Sequence, residues 1–122
     1  MLKIDKVHED ERGEIYSITG DTGPFEEFVI LTTKKGFARG GCIHNLNNEY
    51  GIILSGEVDY QIGEYKHEKC KAGDRMFIKK GTPHYFYAQE DSIVMEFGAT
   101  TEEKKEKHPE FRKLVDIINR RK

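Results

Sequence analysis

Short runs of β-forming residues, separated by turns that contain glycine, occupy most of this chain before residue 100. In the run EVDYQI, Val58, Tyr60 and Ile62 alternate with polar residues, so they would share one face of a strand. No stretch in this part of the chain has apolar residues at the spacing of an amphipathic helix. Many short strands at regular spacing predict an all-β barrel or sandwich.

The stretch 36–56 concentrates side chains that bind metal ions, because it contains Cys42, His44 and Glu49. Residues two apart on a strand project from the same face, so Cys42 and His44 would point the same way. The polar residues NLNN between His44 and Glu49 predict a short hairpin loop, with the flanking Cβ atoms roughly 5 Å apart. The three side chains are therefore expected to converge, as a metal ion requires. A second histidine, His84, follows a Gly-Thr-Pro turn.

Two finer expectations concern the strands that carry these residues. The glycine pair 40–41, just before Cys42, predicts a β-bulge. Alternation along the strand that starts at His84 would point Phe86 inward, where it would form a wall of the pocket.

These two stretches resemble the two motifs of the cupin family. Four residues match the first motif, G-x5-H-x-H-x4-E-x6-G, and they are Gly36, His44, Glu49 and Gly56. Cys42 stands where the first histidine of that motif is expected. Three residues match the second motif, G-x5-P-x-G-x2-H-x3-N, and they are Gly73, Gly81 and His84. Lys79 and Ala88 replace its proline and its asparagine.

The resemblance implies a jelly-roll barrel, the double-stranded β-helix of cupins. The pattern of the tail, described below, adds a short C-terminal α-helix. The whole chain, 1–122, would be one cupin domain, with the barrel in 1–98 and a charged linker and helix in 99–122. It also implies a divalent metal ion, which would be zinc, iron, manganese or nickel. Its ligands would be two histidines, one glutamate and a possible thiolate: His44, His84, Glu49 and Cys42.

The residues themselves leave alternatives open at each ligand position. Cys42 could bind the metal as a thiolate, which favours zinc, or line the pocket as a neutral thiol, or react as a nucleophile or redox group. His44 and Glu49 could serve a metal-free pocket as hydrogen-bonding groups. His84 could be an exposed polar residue after a tight turn.

A second, fainter resemblance is to cupins that isomerise or epimerise nucleotide-linked 6-deoxy-4-keto sugars. It rests on DERGEIY near the N-terminus and on Arg39 before the Cys-x-His pair. Carried over by position, it implies His44, Arg39 and Tyr16 as catalytic residues, without a metal. Cys42 again replaces a histidine, and a thiol with a pKa near ~8.5 is a different acid–base group from an imidazole near ~6.5.

The C-terminal part of the chain has a different pattern. The charged run TTEEKKEKH, 100–108, is expected to be a solvated linker or a first helical turn. Pro109 suits the start of a helix. Four apolar residues then recur at helical spacing, namely Phe111, Leu114, Val115 and Ile118. This helix would pack on the barrel or on a second subunit.

Charge and composition exclude some classes of partner. The 20 basic and 22 acidic residues give a net charge of −2, which provides no basic field for nucleic acid. No segment has the apolar length of a membrane span. Two cysteines without framework spacing, and an N-terminus without an apolar signal region, indicate the cytoplasm.

The alternating strand 2–7 would be an exposed sheet edge, which favours a homodimer.

The sequence thus predicts a small metal-binding cupin that binds or transforms a small polar metabolite. The alternatives are a metal-independent nucleotide-sugar isomerase or epimerase and a non-catalytic ligand-binding or sensor domain. Whether the chain is an enzyme stays open, and a metal-dependent isomerase or a dioxygenase are the two catalytic options.

Overall fold

The computed structural model describes residues 1–100 and 105–120, which form eleven strands and one helix. In chain order the strands are β1 (Leu2–Asp10), β2 (Gly13–Gly20), β3 (Phe28–Thr33), β4 (Ala38–His44), β5 (Glu49–Ser55), β6 (Glu57–Ile62), β7 (Lys66–Lys71), β8 (Arg75–Ile78), β9 (His84–Ala88), β10 (Ser92–Phe97) and β11 (Lys105–Lys107). The helix, α1, covers Pro109–Arg120 and begins at the proline, as predicted. The predicted all-β fold with a short C-terminal helix is confirmed.

The strands form two antiparallel sheets that face each other. The six-stranded sheet has the order β1-β2-β3-β10-β5-β8, and the five-stranded sheet has the order β11-β4-β9-β6-β7. Between them lies one apolar core, made of Val29, Leu31, Ile53, Val58, Tyr60, Ile62, Cys70, Met76, Ile78, Phe86, Ala88 and Val94. The period-2 face predicted in the run EVDYQI and the inward direction of Phe86 are therefore confirmed.

The loop between His44 and Glu49 does not close a hairpin, so this part of the sequence-based prediction is wrong. β4 pairs with β9 and β11, whereas β5 pairs with β10 and β8 in the other sheet. The loop crosses from one sheet to the other, as jelly-roll connections do. His44 and Glu49 still meet, because each projects from its own sheet into the space between the two.

A β-bulge interrupts the pairing of β4 with β9 between Gly40 and Cys42, as the glycine pair predicted. In a regular strand Arg39 and Cys42 would face opposite sides, and the extra residue brings both to the inner face. Gly41 has φ +90°, and a Cβ atom added to it would lie 2.9 Å from the backbone of Arg112 in α1. The bulge thus lets the helix backbone approach β4 closely.

The C-terminal segment differs in part from the expected linker. Lys105–Lys107 form β11, which pairs with β4 so that Lys105 lies opposite His44 and Lys107 opposite Cys42. The remainder of the charged run expected as a linker, 101–104, lies outside the described residues.

Helix α1 packs on β4 of its own chain. The side-chain amide of Asn119 donates to the carbonyl oxygen of Ala38 and accepts from the backbone N–H of Ala38. Arg112 donates to the carbonyl oxygen of Gly40. Phe111 and Val115 are buried, whereas Leu114 is exposed. Among the described ranges, no helix combines the length and apolar character needed to cross a membrane.

An apolar row crosses the outer face of the six-stranded sheet from edge to edge. It consists of directly paired residues, one on each strand: Ile4, Ile18, Phe28, Phe97, Tyr50 and Phe77. Adjacent aromatic rings in this outer row lie 5.3–5.4 Å apart. Ile4, on the N-terminal edge strand, and Phe77, on the opposite edge strand, are 65% and 49% exposed.

The close contact at the bulge predicts that alanine is costly at position 41. Gly41→Ala adds left-handed backbone strain of about 1–2 kcal/mol and an overlap with α1 that costs about 1–3 kcal/mol more. Gly73→Ala is the matched control, because Gly73 has φ +93° and a Cβ atom added there would meet nothing within 4 Å. Chemical denaturation should show the greater loss of stability in Gly41→Ala. Equal losses would mean that the helix contact contributes nothing.

Candidate metal centre

A cavity of about 510 Å³ opens between the two sheets at the end where β4 and β9 carry their polar residues. Both sheets, β11 and α1 contribute to its lining. Its walls include the apolar side chains of Ile15, Leu31 and Phe86. This volume suits a small metabolite rather than a macromolecule.

Three of the predicted ligands meet at the wall of this cavity. Cys42 and His44 lie at the C-terminal end of β4. His84 is the first residue of β9 and lies directly opposite Cys42. One ligand atom from each of the three lies within 4.8 Å of the other two. Both histidines are more than nine-tenths buried, and their rings lie 5.7 Å apart, nearly parallel. Strand alternation and the bulge thus produce a candidate metal site of one sulfur and two nitrogens.

Glu49, at the start of β5, approaches the same two histidines from the other sheet. Its Oε2 lies 2.8 Å from Nε2 of His84, and its Oε1 lies 3.8 Å from Nε2 of His44. Burial by itself raises the pKa of Glu49, but the hydrogen bond and charge of His84 outweigh it and hold the pKa below its ordinary value. The carboxylate is therefore ionised beside the two imidazoles.

The orientation of His84 is fixed by a backbone contact. Nδ1 of His84 lies 3.1 Å from the carbonyl oxygen of Thr82, which can only accept, so Nδ1 carries a hydrogen. Nε2 then faces Glu49 and the other candidate ligands. Burial lowers the pKa of His84, yet the contact with Glu49 prevails and raises it above the ordinary value. When its imidazole is protonated, His84 therefore forms an ion pair with Glu49, with Nε2 and Oε2 2.8 Å apart.

Cys42 is the softest donor of the group. Burial raises the pKa of its thiol, and the positive charge of Lys105 opposes this only in part. A buried thiol without a metal is therefore neutral, and it becomes a thiolate ligand when a cation lies beside it. Cys70, by contrast, lies in the core on β7, away from this group, where burial raises the pKa of its thiol to about 11.

Glu96 is a cavity residue that the sequence-based prediction missed. It lies on β10, and the hydroxyl of Tyr60 donates to its Oε2 at 3.3 Å. Burial, with the negative charge of Glu49 added, raises the pKa of Glu96 to about 8, so this carboxyl holds its proton at neutral pH. The sequence pattern that could have revealed it is strand alternation, because Ser92, Val94 and Glu96 share the inner face of β10.

Of the residues predicted from the sugar-isomerase resemblance, Arg39 lines the cavity and Tyr16 does not. Arg39 is 4% exposed, and its Nε donates to Oγ1 of Thr33 at 2.9 Å. Burial, followed by the charge of Arg12, lowers the pKa of Arg39 to about 10. Tyr16 projects from the outer side of β2, where its hydroxyl donates to Glu14. Its proposed catalytic role stays a prediction.

The cavity is lined by more cations than the sequence suggested. Besides Arg39, these are Arg12, Lys105, Lys107 and Arg112. Three of the four come from the C-terminal segment, which sequence reasoning treated as a solvated linker and a packing helix. Only strand pairing of β11 with β4 reveals that its lysines face the metal ligands.

The donor set fits a divalent metal ion. Ligand atoms at 2.0–2.3 Å from a tetrahedral zinc ion lie about 3.5 Å apart, and the three atoms here are within 4.8 Å of one another. Rotation of these side chains would have to close this difference when a metal ion binds. Glu49 adds an anionic oxygen beside them, and the Thr82 contact supplies the outer hydrogen bond typical of histidine ligands.

Comparison with known proteins identifies the family. Residues 30–109 match the sequence profile described as "Cupin domain". Among curated proteins, none matches this sequence. KdgF from Halomonas sp. has a similar structure, with a TM-score of 0.67 and 19% identity over 80% of this chain and 88% of that chain.

Two larger proteins contain a similar domain. Oxalate decarboxylase from Bacillus subtilis, which has Mn(II) centres, gives a TM-score of 0.71 at 15% identity over 88% of this chain. The capsular polysaccharide assembling protein CapF from Staphylococcus aureus gives 0.66 at 13% identity over 87% of this chain. The present chain spans 30% and 32% of these two proteins, so the likeness concerns the fold alone.

The profile covers more than half of the chain, and the motif residues converge between the two sheets of a jelly roll, so this protein belongs to the cupin family.

Proposed function

We propose that this protein is a small metal-binding cupin that binds or transforms a small polar metabolite in the cavity between its sheets. The convergence of Cys42, His44 and His84 within 4.8 Å, with Glu49 beside them, carries the proposal. A bound divalent ion would polarise a carbonyl or hydroxyl oxygen of the ligand as a Lewis acid. The protein supplies the ligands, their orientation and a cavity that is partly closed to water.

The donor set favours zinc among zinc, iron, manganese and nickel, because a thiolate is a soft ligand. Two imidazoles and one carboxylate alone would suit iron or manganese equally well. The Mn(II) centres of oxalate decarboxylase support a divalent ion in a domain of this fold. The thiol of Cys42 is therefore the group that decides which metal this cupin holds.

The metal-free nucleotide-sugar isomerase stays the second candidate, because His44 and Arg39 both line the cavity. The fold likeness to CapF, a capsular polysaccharide assembling protein, agrees with a carbohydrate ligand. The third group of that mechanism, Tyr16, contacts Glu14 on the outer side of the sheet instead. A non-catalytic sensor would need the same cavity and metal. The cytoplasmic location of the protein stays a prediction from the sequence.

The metal centre predicts one divalent ion per chain in protein purified without a polyhistidine tag. His44→Ala and His84→Ala should each abolish stoichiometric metal in elemental analysis, because each removes a buried donor. His67→Ala is the matched control, since His67 is exposed on β7. Circular dichroism should show the same β-sheet spectrum in all three variants. Wild-type protein that neither carries nor takes up a metal would refute the proposal.

Metal binding should release protons, because the proton of the Cys42 thiol and the proton on Nε2 of His84 must leave before these atoms bind a metal ion. At pH 6 we expect about two protons per ion in wild-type protein and about one in Cys42→Ala. Affinity should therefore rise with pH, as calorimetry in buffers of different ionisation enthalpy can measure. Cys70→Ala should match the wild type. An unchanged proton count in Cys42→Ala would show that this thiol is not a ligand.

We also propose a two-fold homodimer formed through the outer row of the six-stranded sheet. This face exposes Ile4 on one edge strand and Phe77 on the other, and burying each such side chain contributes roughly 1.5–3 kcal/mol. Light scattering should give the mass of a dimer at micromolar concentration. Ile4→Lys and Phe77→Lys should each shift the mass towards a monomer. Tyr65→Lys, at an exposed aromatic residue outside this row, should not.

A further inference from the structure

The C-terminal segment places positive charge directly beside the candidate metal ligands. Because β11 pairs with β4, Lys105 and Lys107 lie opposite His44 and Cys42 and share their face of the sheet. Both lysines line the cavity. The positive charge of Lys105 lowers the pKa of Cys42, Glu49 and Glu96, against the larger effect of burial.

Two arginines extend this positive surface. Arg112 on α1 lines the cavity while one of its nitrogens donates to the carbonyl oxygen of Gly40. Arg39 is buried on β4, the neighbour of β11, and reaches across to β3, where its Nε and Nη2 donate to Thr33 and Thr32. These two hydrogen bonds hold the guanidinium in the lining of the cavity.

These cations are not neutralised by carboxylates of the described chain. In residues 1–100 and 105–120, Arg39, Lys105, Lys107 and Arg112 have no carboxylate oxygen within 4.0 Å. Arg12, in contrast, is paired with Asp10 at 2.7 Å. A divalent ion would balance the negative charges of Glu49 and a Cys42 thiolate. Positive charge that lines a cavity, with no carboxylate partner among residues 1–100 and 105–120, is the arrangement that attracts an anion.

We propose that the ligand of this cavity is a small organic oxyanion, a carboxylate or a phosphate ester, held by Lys105, Lys107, Arg112 and Arg39. This inference deepens the proposed function and rests on it for the cavity as the ligand site. Ammonium and guanidinium groups donate strong, charge-assisted hydrogen bonds to both kinds of oxyanion. The same ligand can reach the metal with a second oxygen, because Lys105 and Cys42 border one space. The C-terminal segment would then select the ligand while the cupin motifs hold the metal.

The test compares two minimal oxyanions, malonate and inorganic phosphate, with chloride at equal ionic strength. Either oxyanion should raise the melting temperature of the wild-type protein above its value in chloride. A larger rise in melting temperature with malonate than with phosphate indicates a carboxylate ligand. A larger rise with phosphate indicates a phosphate ester. Calorimetry then gives the dissociation constant in metal-free and in metal-loaded protein.

Variants locate the binding site. The double variant Lys105→Gln with Lys107→Gln should weaken binding by about tenfold or more, since two charged donors are lost. The matched control is Lys69→Gln with Lys71→Gln, which changes the same charge at the same spacing. Its residues are exposed on β7, at the opposite edge of the same sheet. The control should bind the anion as the wild type does.

The inference is overturned if neither oxyanion stabilises the protein beyond chloride, or if both double variants weaken binding equally. Its failure is distinguishable from failure of the metal proposal, because the lysines are not among the metal ligands. Stoichiometric metal without oxyanion binding would overturn only the inference. Oxyanion binding that depends on Lys105 and Lys107 in a protein that takes up no metal would support the inference and refute the metal centre.

Discussion

The geometry of the centre depends on the bulge at Gly40 and Gly41. This one extra residue in β4 brings Arg39 and Cys42 to the same side of the sheet, which a regular strand would not do. Gly40 and Gly41 have φ angles of +112° and +90°, which residues with a side chain rarely adopt. Without Cβ atoms, they also let the backbones of β9 and α1 approach closely. This local feature of one strand therefore sets the direction of the ligand side chains and allows the helix to pack closely.

The interior of this domain holds several ionisable groups, and the two buried carboxyl groups of the cavity each have a partner that offsets the cost of burial. Glu49 pairs with His84, which is itself held by the carbonyl oxygen of Thr82. Glu96 is kept protonated and accepts from Tyr60. An unpaired buried charge would cost several kcal/mol, so these contacts keep the polar wall of the cavity compatible with a folded core. A metal ion would bind among these polar groups rather than in an apolar site.

The cupin motifs and the C-terminal segment make separate contributions to the cavity. The motifs supply the sulfur, nitrogen and oxygen donors, all on strands that build the jelly roll. β11 and α1 add Lys105, Lys107 and Arg112 from outside those motifs. Folds of this kind host many functions because the residues around a common site vary. The C-terminal segment thus supplies three of the cations that line the cavity.

The sequence by itself determined the all-β architecture, the helix that begins at Pro109, the bulge and the shared face of Cys42 and His44. These follow from local rules, namely alternation along strands and the positions of glycine and proline. It could not determine that the loop after His44 crosses between sheets, because polar turn residues suit a hairpin and a crossover equally. Nor could it place Lys105, Lys107 and Glu96 in the cavity, since pairing between distant strands decides which face a residue joins. Only the tertiary structure brings these groups together, because their contacts depend on strand register rather than on distance along the chain.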